Sequence, residues 1–148
     1  MDMHSVLYLI FIIAPLTTLI HELGHVSGSL AVNADYIQLS IGTGKRKMVL
    51  KRKRVEFNIY PAFFIGGITR SERAKPYNKT ESVWITILGP TFNAITALIS
   101  YLLFEVFPSE FLQLLFWFNM WMAIVNIIPF TINGKRTDGF TILELIRK

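Results

Sequence analysis

Three residues in this chain are spaced to do chemistry together: His21, Glu22 and His25, in the run His21-Glu22-Leu23-Gly24-His25. On a helix, residues four apart share one face about one turn apart. Two imidazoles at that spacing can ligate one Zn²⁺, and Glu22 can reach a metal-bound water as general base. Zinc brings the pKa of that water to about 7. A catalytic zinc takes three protein ligands and keeps one position for water, so a third ligand must come from elsewhere. Cys is absent, so every ligand must be His, Asp or Glu.

The element that carries the motif is apolar. Ser5 to Val32 exceeds the roughly 20 residues needed to cross a bilayer. An ionisable group at mid-membrane costs about 2.5–3.5 kcal/mol on insertion scales, and a metal offsets that cost. The whole chain agrees. Of its 148 residues, 52% are hydrophobic and 17% charged, against about a quarter charged in soluble domains. The N-terminus has no basic stretch and no small-residue cleavage site follows it, so the first apolar run is expected to be retained.

A single domain over 1–148 is expected, with spans at about 5–32, 83–107 and 111–130. Pro15 is expected to bend the first. Gly24 and Gly28 form a small-xxx-small pair that lets another helix approach closely. Between the first two spans, Tyr36 to Ile41 and Met48 to Tyr60 alternate like strands around a Gly42-Thr43-Gly44 turn. They predict a β-hairpin, followed by an interfacial or re-entrant loop to residue 68. Thr69 to Glu81 is a polar linker and Thr131 to Thr137 a polar loop. Asp138 to Lys148 predicts a short amphipathic helix. The expected fold class is an all-α membrane protein: three core transmembrane helices, a cytoplasmic membrane-associated β-hairpin and a C-terminal amphipathic helix.

The 15 basic residues set the topology. They lie between Lys45 and Lys79 and after the third span, at Lys135, Arg136, Arg147 and Lys148. The positive-inside rule places the N-terminus outside and the large loop and C-terminus in the cytoplasm. A polybasic stretch beside a membrane meets lipid headgroups, so a nucleic-acid partner is not expected. This topology puts Glu105 and Glu110 on the wrong side to complete the metal site. Asp138, Asp35 and Glu56 stay open, with Asp138 favoured because it follows the third span and can fold back.

His21-Glu22-Leu23-Gly24-His25, Gly89-Pro90-Thr91-Phe92-Asn93, and Asn126-Ile127-Ile128-Pro129 followed by Asp138-Gly139 together resemble the site-2 protease family of intramembrane zinc metalloproteases. The resemblance covers nearly the whole chain in order. It implies His21, His25 and Asp138 as zinc ligands and Glu22 as catalytic base. It implies a substrate-binding role for Asn93 and Asn126, with Pro129 setting the loop that returns Asp138. The strands ending in Gly66-Gly67 are similar to the family's membrane-associated strands, and these two glycines join the substrate-binding candidates. Phe130 to Thr137 is longer than the corresponding family loop, and Thr137 stands where Leu is common. A minimal core form, with no accessory domain after Asp138, is expected.

The implied function is hydrolysis of a peptide bond in or near a transmembrane segment of a membrane-embedded or membrane-tethered substrate. An extended substrate segment is expected to pair with a strand edge from residues 36–60. The expected location is a bacterial cell membrane, with the active site toward the cytoplasmic side. The competing class is a non-proteolytic zinc-binding membrane regulator, which would have no need of a base at Glu22.

Overall fold

The computed structural model describes residues 3–132 and 134–147. Asn133, part of the expected polar loop, lies outside them. Among the described residues, three helices are long and apolar enough to cross a membrane: α1 (Met3–Ala31), α2 (Lys79–Val106) and α3 (Glu110–Ile127). A fourth helix, α4 (Asp138–Arg147), follows.

Pro15 leaves α1 unbroken. A π-helical turn, Leu9–Ile13, precedes it, closed by Ala14 N–H on Leu9 O. The wider turn accommodates a ring that would otherwise clash with the carbonyl four residues earlier. Helix α2 starts at Lys79, earlier than the apolar pattern implies. Asn78 and Glu81 form a reciprocal capping box there, which satisfies amides the helix start leaves orphaned. Arg73 fastens that start to the end of α1. Its guanidinium donates to Val32 O at 2.6 Å and to both Glu81 carboxylate oxygens, at 3.0 and 2.8 Å.

The expectation of an all-α chain with one hairpin is corrected. Four strands, β1 (Tyr36–Thr43), β2 (Met48–Arg52), β3 (Val55–Ile59) and β4 (Ala62–Glu72), form one sheet in the order β2-β3-β1-β4. The hairpin is β2–β3, and β1 pairs with β3 in parallel and with β4 antiparallel. Two causes hid this. The β2–β3 turn falls inside a run of basic residues, with Lys53 at φ +53 in place of the usual Gly or Asn. Parallel pairing of β1 with β3 leaves no local signature. Residues 62–68, expected as a re-entrant loop, belong to the edge strand β4.

Helix α1 packs on two sides at once. Ile37, Leu39 and Ile41 alternate inward from β1 and pack with Leu19, Leu23 and Val26. On the other side, Gly24 lies under the Leu88 carbonyl of α2 and Gly28 under Ile85. A Cβ at Gly28 would stand 2.8 Å from the Ile85 Cα, and at Gly24 there is no room for one at all. Helix α3 packs on α2, and α4 packs against α2 and α3.

Gly24→Ala should therefore destabilise the fold by about 1–3 kcal/mol, as overpacking does. Thermal or denaturant melts in detergent should show the loss. An unchanged melt would contradict the α1–α2 contact.

Candidate metal centre

His21 and His25 project from α1 toward α2. Gly89 of α2 makes room for them: a Cβ there would overlap the His25 ring and lie 2.9 Å from His21 Nε2. Each imidazole is held through Nδ1. His21 Nδ1 is 2.7 Å from Asn93 Oδ1, and His25 Nδ1 is 2.9 Å from Ile85 O. Both partners are acceptors. Asn93 must present its oxygen to His21, because its nitrogen already donates to Thr17 O at 3.2 Å. Both imidazoles therefore carry a proton on Nδ1, which in the neutral ring leaves the lone pair on Nε2.

The two Nε2 atoms face each other at 3.1 Å. Asp138 Oδ2 lies 3.1 Å from one and 3.5 Å from the other. It is buried, with no hydrogen-bond donor among the described residues. With both rings neutral, three acceptor atoms converge within 4.8 Å and repel one another unless a proton or a metal cation joins them. Two imidazole nitrogens and one carboxylate oxygen are a donor set that suits Zn²⁺. On that chemistry, His21, His25 and Asp138 fit the metal that the sequence implies.

Asp138 arrives through a built turn. The expected loop is largely a small hairpin of β5 (Thr131–Ile132) and β6 (Lys135–Arg136). Thr137 caps α4. Its hydroxyl accepts from Phe140 N–H at 3.2 Å and donates to Ile128 O at 2.8 Å. Gly139 then fits where any Cβ would collide with the Ile127 carbonyl. So Thr137 does work there that a leucine could not. Asp138 opens the helix, where its charge also suits the dipole.

The other ligand candidates are engaged elsewhere. Asp35 accepts from Ala74 N–H at 2.8 Å. Glu56 accepts from Asn58 and Gln38 and lies 3.9 Å from Lys47 Nζ. Those partners, Asn58 foremost, hold its carboxyl below the usual range.

Glu22 points away from α2, toward the sheet. Thr69 of β4 donates to its Oε2 at 2.6 Å. Sequence reading passed over Thr69 because it falls in a stretch taken for linker. A cavity of about 630 Å³ joins Glu22, both imidazoles and Asp138 to the β4 residues Ile65 to Thr69, to Asn126 and to Lys135 and Arg136. Gly66, Gly67 and Asn126 line it. Asn93 is fully buried and spends its amide on His21, Thr17 and Asn119. Pro129 is exposed just beyond α3 and is not part of the lining. Asn119 and Thr17 had carried no sequence signal as site residues, because nothing but the fold brings them near His21.

The model for peptidase family M50 matches residues 8–109. That stretch contains His21, Glu22, His25 and Asn93 and stops before Asp138, so the third ligand rests on the folded geometry. No curated protein matches the chain.

Asp138→Ala should lower the zinc content of purified protein well below that of the parent, measured by elemental analysis after dialysis. Gly89→Ala should do the same by displacing the imidazoles. Full zinc content in Asp138→Ala would remove Asp138 from the centre.

Proposed function

The chain belongs to peptidase family M50, and on that footing we propose that it is an intramembrane zinc metalloprotease cutting a peptide bond in or near a transmembrane segment of its substrate. One observation carries this reading. The three-acceptor cluster of His21, His25 and Asp138 opens onto the same cavity as Glu22, and both histidines and Glu22 stand on a helix apolar enough to cross a membrane.

When bound, zinc supplies Lewis acidity, which brings the pKa of a water to about 7. The chain's own residues do the rest. Glu22 takes the proton of the attacking water and returns it to the departing amine. Thr69 holds one Glu22 oxygen and so fixes the direction of the other. Asn93 and Ile85 hold the imidazoles by Nδ1, leaving both Nε2 lone pairs toward the metal.

The substrate must be unwound, since a helix shields its own amides. Edge strand β4 offers a template. It pairs with β1 on one side only, and Ile65 to Thr69 border the cavity. The edge expected from residues 36–60 differs: β1 and β3 are interior, and β2 is at the far side of the sheet. An extended segment added to β4 gains main-chain hydrogen bonds and lies beside Glu22. The basic residues of the large loop favour a cytoplasmic side for this opening.

Glu22→Gln should cut kcat on a transmembrane peptide by about 10²–10⁴-fold while zinc stays bound. Full activity would sink the assignment of the base. Thr69→Val should lower kcat roughly tenfold or more at unchanged zinc content, as expected for a lost hydrogen bond to a charged group. Zinc binding by the parent with no cleavage of any membrane substrate would favour a regulator instead.

A further inference from the structure

Behind His21 lies a chain of hydrogen bonds that crosses all three apolar helices. Asn119 of α3 donates from Nδ2 to Leu115 O at 2.8 Å and to Thr17 Oγ1 at 3.0 Å. Its Oδ1 accepts from Asn93 Nδ2 at 2.8 Å, and the same Asn93 nitrogen donates to Thr17 O at 3.2 Å. Asn93 Oδ1 then accepts from His21 Nδ1. Thr17, Asn93 and Asn119 are all fully buried. Every amide proton and oxygen of the two asparagines has a partner.

This saturation gives the chain a direction. Leu115 O obliges Asn119 to aim its nitrogen inward, where Thr17 Oγ1 accepts its second proton, so its oxygen faces Asn93. That oxygen and Thr17 O oblige Asn93 to aim its nitrogen at them, so its oxygen faces His21. Flipping Asn93 would set acceptor against acceptor at Thr17 O and Asn119 Oδ1; flipping Asn119 would set its oxygen against Leu115 O and its nitrogen against that of Asn93, in a site closed to water. A neutral His21 is left one tautomer, with the proton on Nδ1 and the lone pair on Nε2 toward Asp138.

We propose that Asn119 and Thr17 are positioning residues of the metal centre: through Asn93 they fix the tautomer of His21 and so set the metal affinity. The proposal rests on the metal-centre reading above and adds two residues that touch neither metal nor cavity. The rival is a network that only holds the helices together. A pure fastening would lose stability in Thr17→Val and leave the His21 tautomer unchanged, whereas the relay would lose the tautomer as well.

The test uses full-length protein in detergent with zinc itself as the probe. The variants are Asn119→Leu, Thr17→Val and Thr17→Ser, with Asp138→Ala as reference. Zinc dissociation constants come from competition with a chelating dye. The His21 tautomer comes from ¹⁵N-histidine spectra of the metal-free protein, simplified by His4→Gln. Asn119→Leu and Thr17→Val should weaken zinc binding about 10- to 100-fold. Both should also turn His21 into a mixture of tautomers, while Thr17→Ser keeps parental affinity and spectrum. Thr17→Val nearly conserves volume, so the valine and serine pair decides the matter if Asn119→Leu fails to fold. Affinity within twofold of the parent in Thr17→Val, or an equal loss in Thr17→Ser, would overturn the relay. In that event loss of zinc in Asp138→Ala would leave the metal centre standing. A parent without measurable zinc affinity would remove both.

Discussion

The close approach of α1 to α2 is the constraint on which the rest of this structure depends. Gly24 and Gly28 let the Leu88 carbonyl and the Ile85 backbone sit directly on α1. Only at that separation can His25 Nδ1 reach Ile85 O and His21 Nδ1 reach Asn93. Gly89 completes the fit by leaving the rings a place to lie. Larger residues at these positions would part the helices, and both imidazoles would lose the acceptors that orient them. The opposite side of α1 is held as firmly by β1, so the helix cannot turn to relieve a misfit.

Energetics explain why so much polar detail is placed within apolar helices. A hydrogen bond between membrane helices averages about 0.6 kcal/mol, whereas an ionised group at mid-membrane costs about 2.5–3.5 kcal/mol. The hydrogen bonds among Thr17, Asn93 and Asn119 are too weak to offset an ionised Asp138 or Glu22. Their value lies in direction, since each amide can face one way only. The larger cost is one that a cation shared by His21, His25 and Asp138 would offset. The first helix supplies a carboxylate and two rings, the sheet supplies Thr69, and α4 supplies Asp138, so the centre draws on every layer of the molecule.

Much of the site was legible because its residues follow local rules. His21 and His25 are one helical turn apart, and Gly24 with Gly28 reads as a contact face. Asp138 could be favoured from topology, yet its delivery through the cap at Thr137 and the gap at Gly139 could not be. The sheet was half legible. Alternation marked its strands, but β1 pairs with β3 across an intervening hairpin, and Lys53 turns the chain where no turn residue stands. Thr69 and Asn119 were invisible for the same reason. Hydroxyl and amide side chains are common, and only the folded path of the chain shows which of them meet Glu22 and Asn93.

The third acceptor comes from a helix that follows all three apolar ones, and this sets an order of assembly. While α1 stands alone in a bilayer, its two rings have neither Ile85, Asn93 nor Asp138 to face. Adding α2 orients the rings but leaves them incomplete. The cluster first exists when α4 has folded back under α3. A partly inserted chain thus lacks the complete cluster, and the cavity beside Glu22 closes only once the spans around it are in place.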